Sequence, residues 1–159
     1  MRDKKVYSLA GDTTTAHRYA VVGNAERFLK HKHAYKAWEA LRQFGCVVYP
    51  VAYDLQRLEG YKVYPQLSSL KDKVYVVVPC LRAELLTDLI AQAQECGAGY
   101  VWFQEGNWTE ELQKQADEAG IQVIRGCILK HKLYPKPWAY FHPCYWHGLK
   151  SPKAPKRRR

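Results

Sequence analysis

From Tyr19 onward the chain alternates short apolar runs rich in valine with longer segments whose apolar residues recur every three or four positions. Such a switch of period marks strands alternating with helices. The first run, Tyr19-Ala20-Val21-Val22-Gly23, leads through a polar loop to Ala34, Ala37, Trp38, Leu41 and Phe44, which share one face of a helix. Gly45 is placed to end that helix, because glycine tolerates the left-handed backbone there. Val47, Val48 and Val51 form the second strand. The same grammar recurs twice. Leu86, Leu89, Ile90 and Ala93 predict a helix ending near Gly97, ahead of Tyr100-Val101-Trp102-Phe103; Leu112, Ala116 and Ala119 predict one ending at Gly120, ahead of Ile121-Gln122-Val123-Ile124. Thr109 is the expected cap of the latter, with Glu110 and Glu111 in the first turn, where the helix dipole favours negative charge.

Between the second strand and Val74-Tyr75-Val76-Val77-Val78 lies a less regular crossover, residues 52–73, with Gly60, Pro65 and two serines. A loop with a short helical turn is expected there. Strands this uniformly apolar are buried on both faces, so the sheet should be parallel. The expectation is an α/β protein with a Rossmann-like, doubly wound, five-stranded parallel sheet in three layers. Its ligand site should lie outside the carboxyl ends of the strands, where the loops after Val22, Val51, Val78, Phe103 and Ile124 converge. Around this domain, residues 19–133, the pattern sets an N-terminal extension (1–18), an aromatic appendage (134–149) and a basic, solvated, disordered tail (150–159).

Composition narrows the class. A chain of 159 residues, 47% hydrophobic and 25% charged, has the balance of a globular domain. At this length folding buries roughly 70% of the unfolded surface, so no staple of disulfide or metal is needed. The longest apolar runs, Cys46 to Tyr53 and Val74 to Leu81, fall far short of a bilayer span. After the charged start Met1-Arg2-Asp3-Lys4-Lys5 the apolar stretch is only Val6 to Ala10, too short for a signal sequence, so a cytoplasmic protein without a membrane partner is expected. Five cysteines without a C-x-x-C pair argue against a disulfide framework and a zinc ribbon. The net charge is +10, yet residues 150–159 hold six of the cations. Nineteen basic against fifteen acidic residues remain in the body, a balance of only +4.

The loop after the first strand, Gly23-Asn24-Ala25-Glu26-Arg27-Phe28, has one glycine and so lacks the G-x-G-x-x-G of a dinucleotide fold; the P-loop pattern is absent too. It is followed by Arg27, Lys30, Lys32 and Lys36 with His31 and His33, and no acid between 27 and 36. Cations beside a helix amino terminus suit phosphate. A solvated basic face is the alternative.

Several elements together resemble a known family, the small single-domain CoA-binding proteins whose fold is similar to the CoA-binding domain of succinyl-CoA synthetase. They are Ala20-Val21-Val22-Gly23, Gly45-Cys46-Val47-Val48-Tyr49-Pro50-Val51, Gly60-Tyr61-Lys62-Val63-Tyr64-Pro65-Gln66-Leu67, Val101-Trp102-Phe103-Gln104-Glu105-Gly106, and Gly120-Ile121-Gln122-Val123-Ile124 with Cys127. The resemblance spans about residues 19 to 131. It implies coenzyme A or a short acyl-CoA as ligand, with no metal. Gly23, Asn24 and Ala25 would hold the phosphates, with Arg27 and Lys32 beside them. Val51, Ala52, Tyr53 and Asp54 would face the nucleotide, and Pro79, Cys80, Leu81 and Arg82 would line the remaining edge with Gln104, Gly106 and Cys127. The family tends to have a serine shortly after the glycine and an asparagine-proline pair after strand two, where this chain has Ala25 and Ala52-Tyr53. The phosphorylated histidine of the synthetase belongs to a second domain with no counterpart here.

Other readings compete at single features. Asp54 could grip a ribose hydroxyl, as an acid does in NAD(P)-binding Rossmann proteins and enzymes. Cys80 or Cys127 could meet a CoA thiol, although a buried, inert cysteine is the commoner case. His131, His142, Cys144 and His147 have loose metal-ligand spacing, against which stands packing of the aromatic segment onto the domain or onto a second copy in a homodimer. The tail resembles nucleic-acid-binding arms without any recognition motif, which supports weak, salt-sensitive, non-specific binding. No G-x-S-x-G, H-E-x-x-H or acid pair at the ends of different strands is present, and Glu105 stands alone. A binding or sensing protein is therefore expected rather than an enzyme.

Overall fold

The computed structural model describes residues 6–104, 106–131 and 156–157, with side chains up to Leu129 except that of Tyr7. Its centre is a five-stranded sheet of β1 (Arg18–Val22), β2 (Val47–Val51), β3 (Val76–Pro79), β4 (Tyr100–Phe103) and β5 (Gln122–Arg125). All pairings are parallel and the spatial order is β2-β1-β3-β4-β5.

Side chains alternate between the two faces, as a strand's period of two requires. Tyr19, Val21, Val76, Val78, Tyr100 and Trp102 enter one core cluster, while Ala20, Val77, Val101 and Phe103 enter the other. On the first face lie α1 (Ala25–Leu29) and α2 (His33–Gln43), which bury Phe28, Ala34, Trp38 and Leu41. The second is covered by α3 (Leu89–Cys96) and α4 (Glu110–Ala119) through Leu89, Ile90, Ala93, Leu112 and Ala116. Helices on both faces make three layers, the architecture that the valine runs predict. Because the chain crosses to opposite faces after β1 and after β3, the crevice between these two neighbouring strands is the topological switch point.

The helix ends follow the sequence signals closely. Gly45, Gly97 and Gly120 all have positive φ after α2, α3 and α4, and Thr109 Oγ1 accepts the N–H of Leu112 at 3.1 Å. Four features differ from the expectation. The stretch after Gly23 holds the short helix α1, which five residues of mixed polarity do not advertise. The edge strands β2 and β5 are only partly buried, since each has a neighbour on one side alone. The crossover holds not only a short helical turn, Leu67–Leu70, but also a hairpin of Arg57–Leu58 with Tyr61–Lys62. Glu59 and Gly60 both have positive φ in its turn, the backbone that a two-residue hairpin demands. Finally, Leu9 and Ala10 are buried in the first core cluster, so the segment before β1 contributes to the core.

Tyr7–Ser8 pairs antiparallel with Lys156–Arg157. The aromatic segment 134–149 and the other residues of the tail lie outside the described residues. Among the described residues no helix is long and apolar enough to cross a membrane.

Candidate functional site

The carboxyl ends of the strands open into loops that the backbone ladder extends by one step. Gly23 N–H donates to Val51 O at 2.9 Å and Cys80 N–H to Val22 O at 2.8 Å, so the loops after β1, β2 and β3 leave the sheet side by side. Gly23 is glycine for a packing reason. A Cβ placed there would lie 2.9 Å from Ala34 Cβ and 2.9 Å from the Phe28 ring, so α1 and α2 are able to close over β1 only because position 23 has no side chain.

Asn24 caps α1, its Oδ1 accepting the N–H of Arg27 at 2.9 Å. The next amide is also taken: Ala25 N–H donates to Asp54 Oδ1 at 2.8 Å. A carboxylate from the loop after β2 thus sits against the first turn of α1. Lys32 turns to the surface and pairs with Glu26 at 2.8 Å. Lys30 reaches the same carboxylate at 3.8 Å. The basic stretch is thereby partly neutralised by the acid just before it. The hydrogen bond from Lys32, with the charges of Lys32 and Lys30, holds the Glu26 carboxyl below its usual range.

A cavity of about 140 Å³ lies at the switch point, lined by Arg27, His33, Cys80, Leu81, Arg82, Gln104, Gly106 and Asn107. Six of these, Arg27, Cys80, Leu81, Arg82, Gln104 and Gly106, are among the residues expected from the sequence. Gly23, Asn24, Ala25 and Pro79 border the same loops without lining it. Val51 and Ala52 are buried at the end of β2, and Tyr53 is 81% exposed beyond them. Cys127 is buried, close enough to Cys80 to affect its ionisation. Glu105 lies outside the described residues, as do His142, Cys144 and His147.

Asn107 was not expected as a binding group and His33 only as a member of the basic stretch after Gly23, and both act through hydrogen bonds that periodicity does not reveal. His33 Nε2 lies 2.8 Å from Gln104 Oε1, which also accepts the N–H of Ile128 at 2.8 Å. A carboxamide oxygen can only accept, so His33 carries its proton on Nε2. Gln104 in this way joins the start of α2 to the loops after β4 and β5. Asn107 plays the equivalent part towards β3. Its Nδ2 donates to Pro79 O at 2.8 Å and to Leu81 O at 3.1 Å, while Oδ1 is buried without a hydrogen-bond partner. An unpaired buried acceptor costs about 1–3 kcal/mol, so its retention calls for a reason.

Cys80 is no ready nucleophile. Burial raises its thiol pKa well above the ordinary value, the nearby Cys127 adds to the rise, and Arg27 opposes it only in part. A neutral thiol, 3% exposed, attacks slowly. Among the described residues no group of three or more His, Cys, Asp or Glu is arranged to hold a metal ion.

Residues 17–132 match the sequence model of the CoA binding domain. The chain belongs to the CoA-binding domain family. Solved structures agree with that membership. A hypothetical protein from Pyrococcus horikoshii OT3 is 31% identical, with 69% of this chain and 76% of that chain covered at a TM-score of 0.63. A conserved hypothetical protein from Pyrococcus furiosus is 26% identical over 69% of this chain and 93% of its own, again with a TM-score of 0.63. Acetyl-coenzyme A synthetase 1 of Ca. Korarchaeum cryptofilum, in complex with phosphate and ADP, is 25% identical over 74% of this chain at a TM-score of 0.60. The match takes in only 27% of the synthetase. The CoA-binding domain here therefore corresponds to one part of a larger enzyme and to most of the length of the two Pyrococcus proteins.

Proposed function

We propose that the protein binds coenzyme A or a short acyl-CoA in the crevice between the loops after β1 and β3, as a binding or sensing module that performs no chemistry on the thioester. The observation that carries the reading is the cavity at the switch point of a CoA-binding domain, with the guanidinium-bearing residues Arg27 and Arg82 on its walls. Phosphate recognition by arginine is charge-assisted and bidentate. Gly23, Asn24 and Ala25 would border the phosphates, and Tyr53 would offer its exposed ring to the nucleotide.

The dinucleotide reading is weaker on a specific point. Its acid, Asp54, already accepts the N–H of Ala25, and the single glycine of the loop serves to admit Phe28 and Ala34. The non-catalytic reading rests on the raised thiol of Cys80 and on His33 being bound through Nε2 to Gln104. Neither is presented as an activated base or nucleophile.

Isothermal calorimetry with CoA, dephospho-CoA and NAD tests the ligand. CoA is expected to bind tightest; equal or tighter binding of NAD would transfer the protein to the dinucleotide class. Thiol release from acetyl-CoA and succinyl-CoA tests the role, and turnover above background would make the protein an enzyme.

A further inference from the structure

We propose that the protein has a second ligand site, at the opposite edge of the sheet from the CoA crevice, which takes a nucleoside monophosphate: the planar base stacks on Tyr75 and the phosphate meets Arg18 and Lys73. A cavity of about 420 Å³ opens there, between the amino ends of β1 and β3, against about 140 Å³ at the switch point. Sites for small organic ligands run from about 300 to 1,000 Å³. His17, Arg18, Asp72, Lys73 and Tyr75 are among its walls. The backbone builds the aromatic wall. Tyr75 N–H donates to Arg18 O at 3.0 Å and Gly99 N–H to Tyr75 O at 2.9 Å, so the three residues stand side by side at the amino edge of the sheet. A Cβ on Gly99 would lie 2.6 Å from Tyr75 Cε2 and 2.8 Å from its Cζ, so the ring takes the space that a side chain at 99 would need. The rings of His17 and Tyr100 contact it at centroid distances of 4.9 and 5.5 Å. Tyr75 is thus held in one place, yet it is 43% exposed. A fixed aromatic face open to a cavity receives a flat ring at little cost in side-chain entropy.

The charged residues of this cavity do not satisfy one another. Among the described residues the ion pairs are those of Glu26 with Lys30 and Lys32, so neither Arg18 nor Lys73 is paired with Asp72 although all three line one space. Two cations on one cavity suit a phosphate dianion. The carboxylate of Asp72 accepts, and so fits the ribose hydroxyls or an exocyclic amine. An inorganic anion would leave Tyr75 and Asp72 unused, and an apolar ligand would leave all three charges unused. A nucleoside monophosphate carries the flat ring, the donors and the dianion in one molecule of fitting size. The strands separate this cavity from the CoA crevice: five residues of β1, at about 3.3 Å each, put the two roughly 15 Å apart. Both can be filled at once.

Calorimetry with AMP, GMP, CMP and UMP, each with and without saturating CoA, tests the site. At least one nucleotide is expected to bind, with an affinity that CoA leaves unchanged. Inorganic phosphate and the matching nucleoside should each bind at least about tenfold more weakly. Tyr75→Leu, which keeps an apolar side chain against Gly99, should weaken the nucleotide about fivefold or more through lost stacking. Arg18→Gln should weaken it about tenfold, and because Arg18 is exposed this variant folds even where Tyr75→Leu does not. Arg27→Ala, in the CoA crevice, should leave nucleotide binding as it is. A nucleotide that CoA displaces, or that Arg27→Ala weakens, belongs to the CoA crevice and overturns the second site. Inorganic phosphate binding as tightly as the nucleotide would reduce the cavity to a charged patch and overturn it too, as would failure of all four nucleotides to bind. If CoA itself does not bind, the Tyr75, Arg18 and Arg27 variants still decide.

Discussion

Asp54 and Ala25 are 29 positions apart in sequence, yet the carboxylate of the one accepts the backbone N–H of the other at 2.8 Å. The contact ties the loop after β2 to the first turn of α1. It also places a negative charge beside the loop to which the phosphates of CoA are assigned. Asp54→Asn keeps an oxygen acceptor for Ala25 and removes the charge. The variant is expected to bind CoA roughly threefold to tenfold more tightly at low salt, since an exposed unit charge a few ångströms away is worth about 1 kcal/mol in water. In 1 M salt the advantage should shrink towards nothing. Calorimetry at two ionic strengths decides the matter, and an unchanged affinity at low salt would separate Asp54 from the phosphate site.

The two cations assigned to CoA from the sequence should be unequal. Arg27 lines the cavity, whereas Lys32 spends its charge on Glu26 at the surface. Arg27→Ala should lower CoA affinity by about tenfold, the loss of a charge-assisted hydrogen bond. Lys32→Ala should lower it less than about threefold. Equal losses would mean that the ligand phosphates lie along α1 and not in the cavity.

Gly23→Ala should destabilise the fold without reference to any ligand. The new methyl would meet Phe28 and Ala34 at 2.9 Å, both in a core with no exposed edge to move towards. Overpacking of this kind costs about 1–3 kcal/mol. Urea denaturation is expected to show a lower midpoint at unchanged slope.

Stability should decline on the alkaline side. Burial pushes the Cys80 thiol well above 9.0, with Cys127 adding to the rise, and burial likewise pushes the Tyr19 hydroxyl above 10.0. In the unfolded chain both groups ionise at their ordinary values, so above about pH 9 that state binds fewer protons than the native one. Folding stability is then lost as pH rises, first through Cys80 and next through Tyr19, by up to about 1.4 kcal/mol per pH unit for each group. The urea midpoint should be flat from pH 7 to 8.5 and fall beyond 9, less steeply in Cys80→Ala. Native protein at pH 8 should also leave Cys80 unmodified by a thiol reagent that labels it in urea.

Deletion of residues 150–159 removes six cations. The truncated protein should bind nucleic acid more weakly and with a shallower dependence on salt. CoA affinity at moderate salt should be unchanged, because Arg27 and Arg82 remain. Loss of CoA binding on truncation would place the tail at the site.

The sequence by itself determined the layered sheet. Valine-rich runs fix strands, residues such as Trp38, Leu41, Leu89 and Ile90 fix the inner faces of helices, and Gly45, Gly97 and Gly120 mark their ends. Each of these signals is local, carried by spacing or by the backbone freedom of a single residue. It also pointed to the loops after the strands, because strand ends point to one side of any parallel sheet, while Cys80, Leu81, Arg82, Gln104 and Gly106 came from the family resemblance and Arg27 from the basic stretch after Gly23. Only the tertiary structure decided what those loops do to one another. That Gly23 exists to admit Phe28 and Ala34, that Asp54 faces Ala25, and that Lys32 is held by Glu26 all depend on distances between loops. Asn107 is the clearest case: a single polar residue before a helix cap has no periodic signature. Its buried, unpaired oxygen comes into being only when β3 supplies two carbonyls for the nitrogen and none for the oxygen.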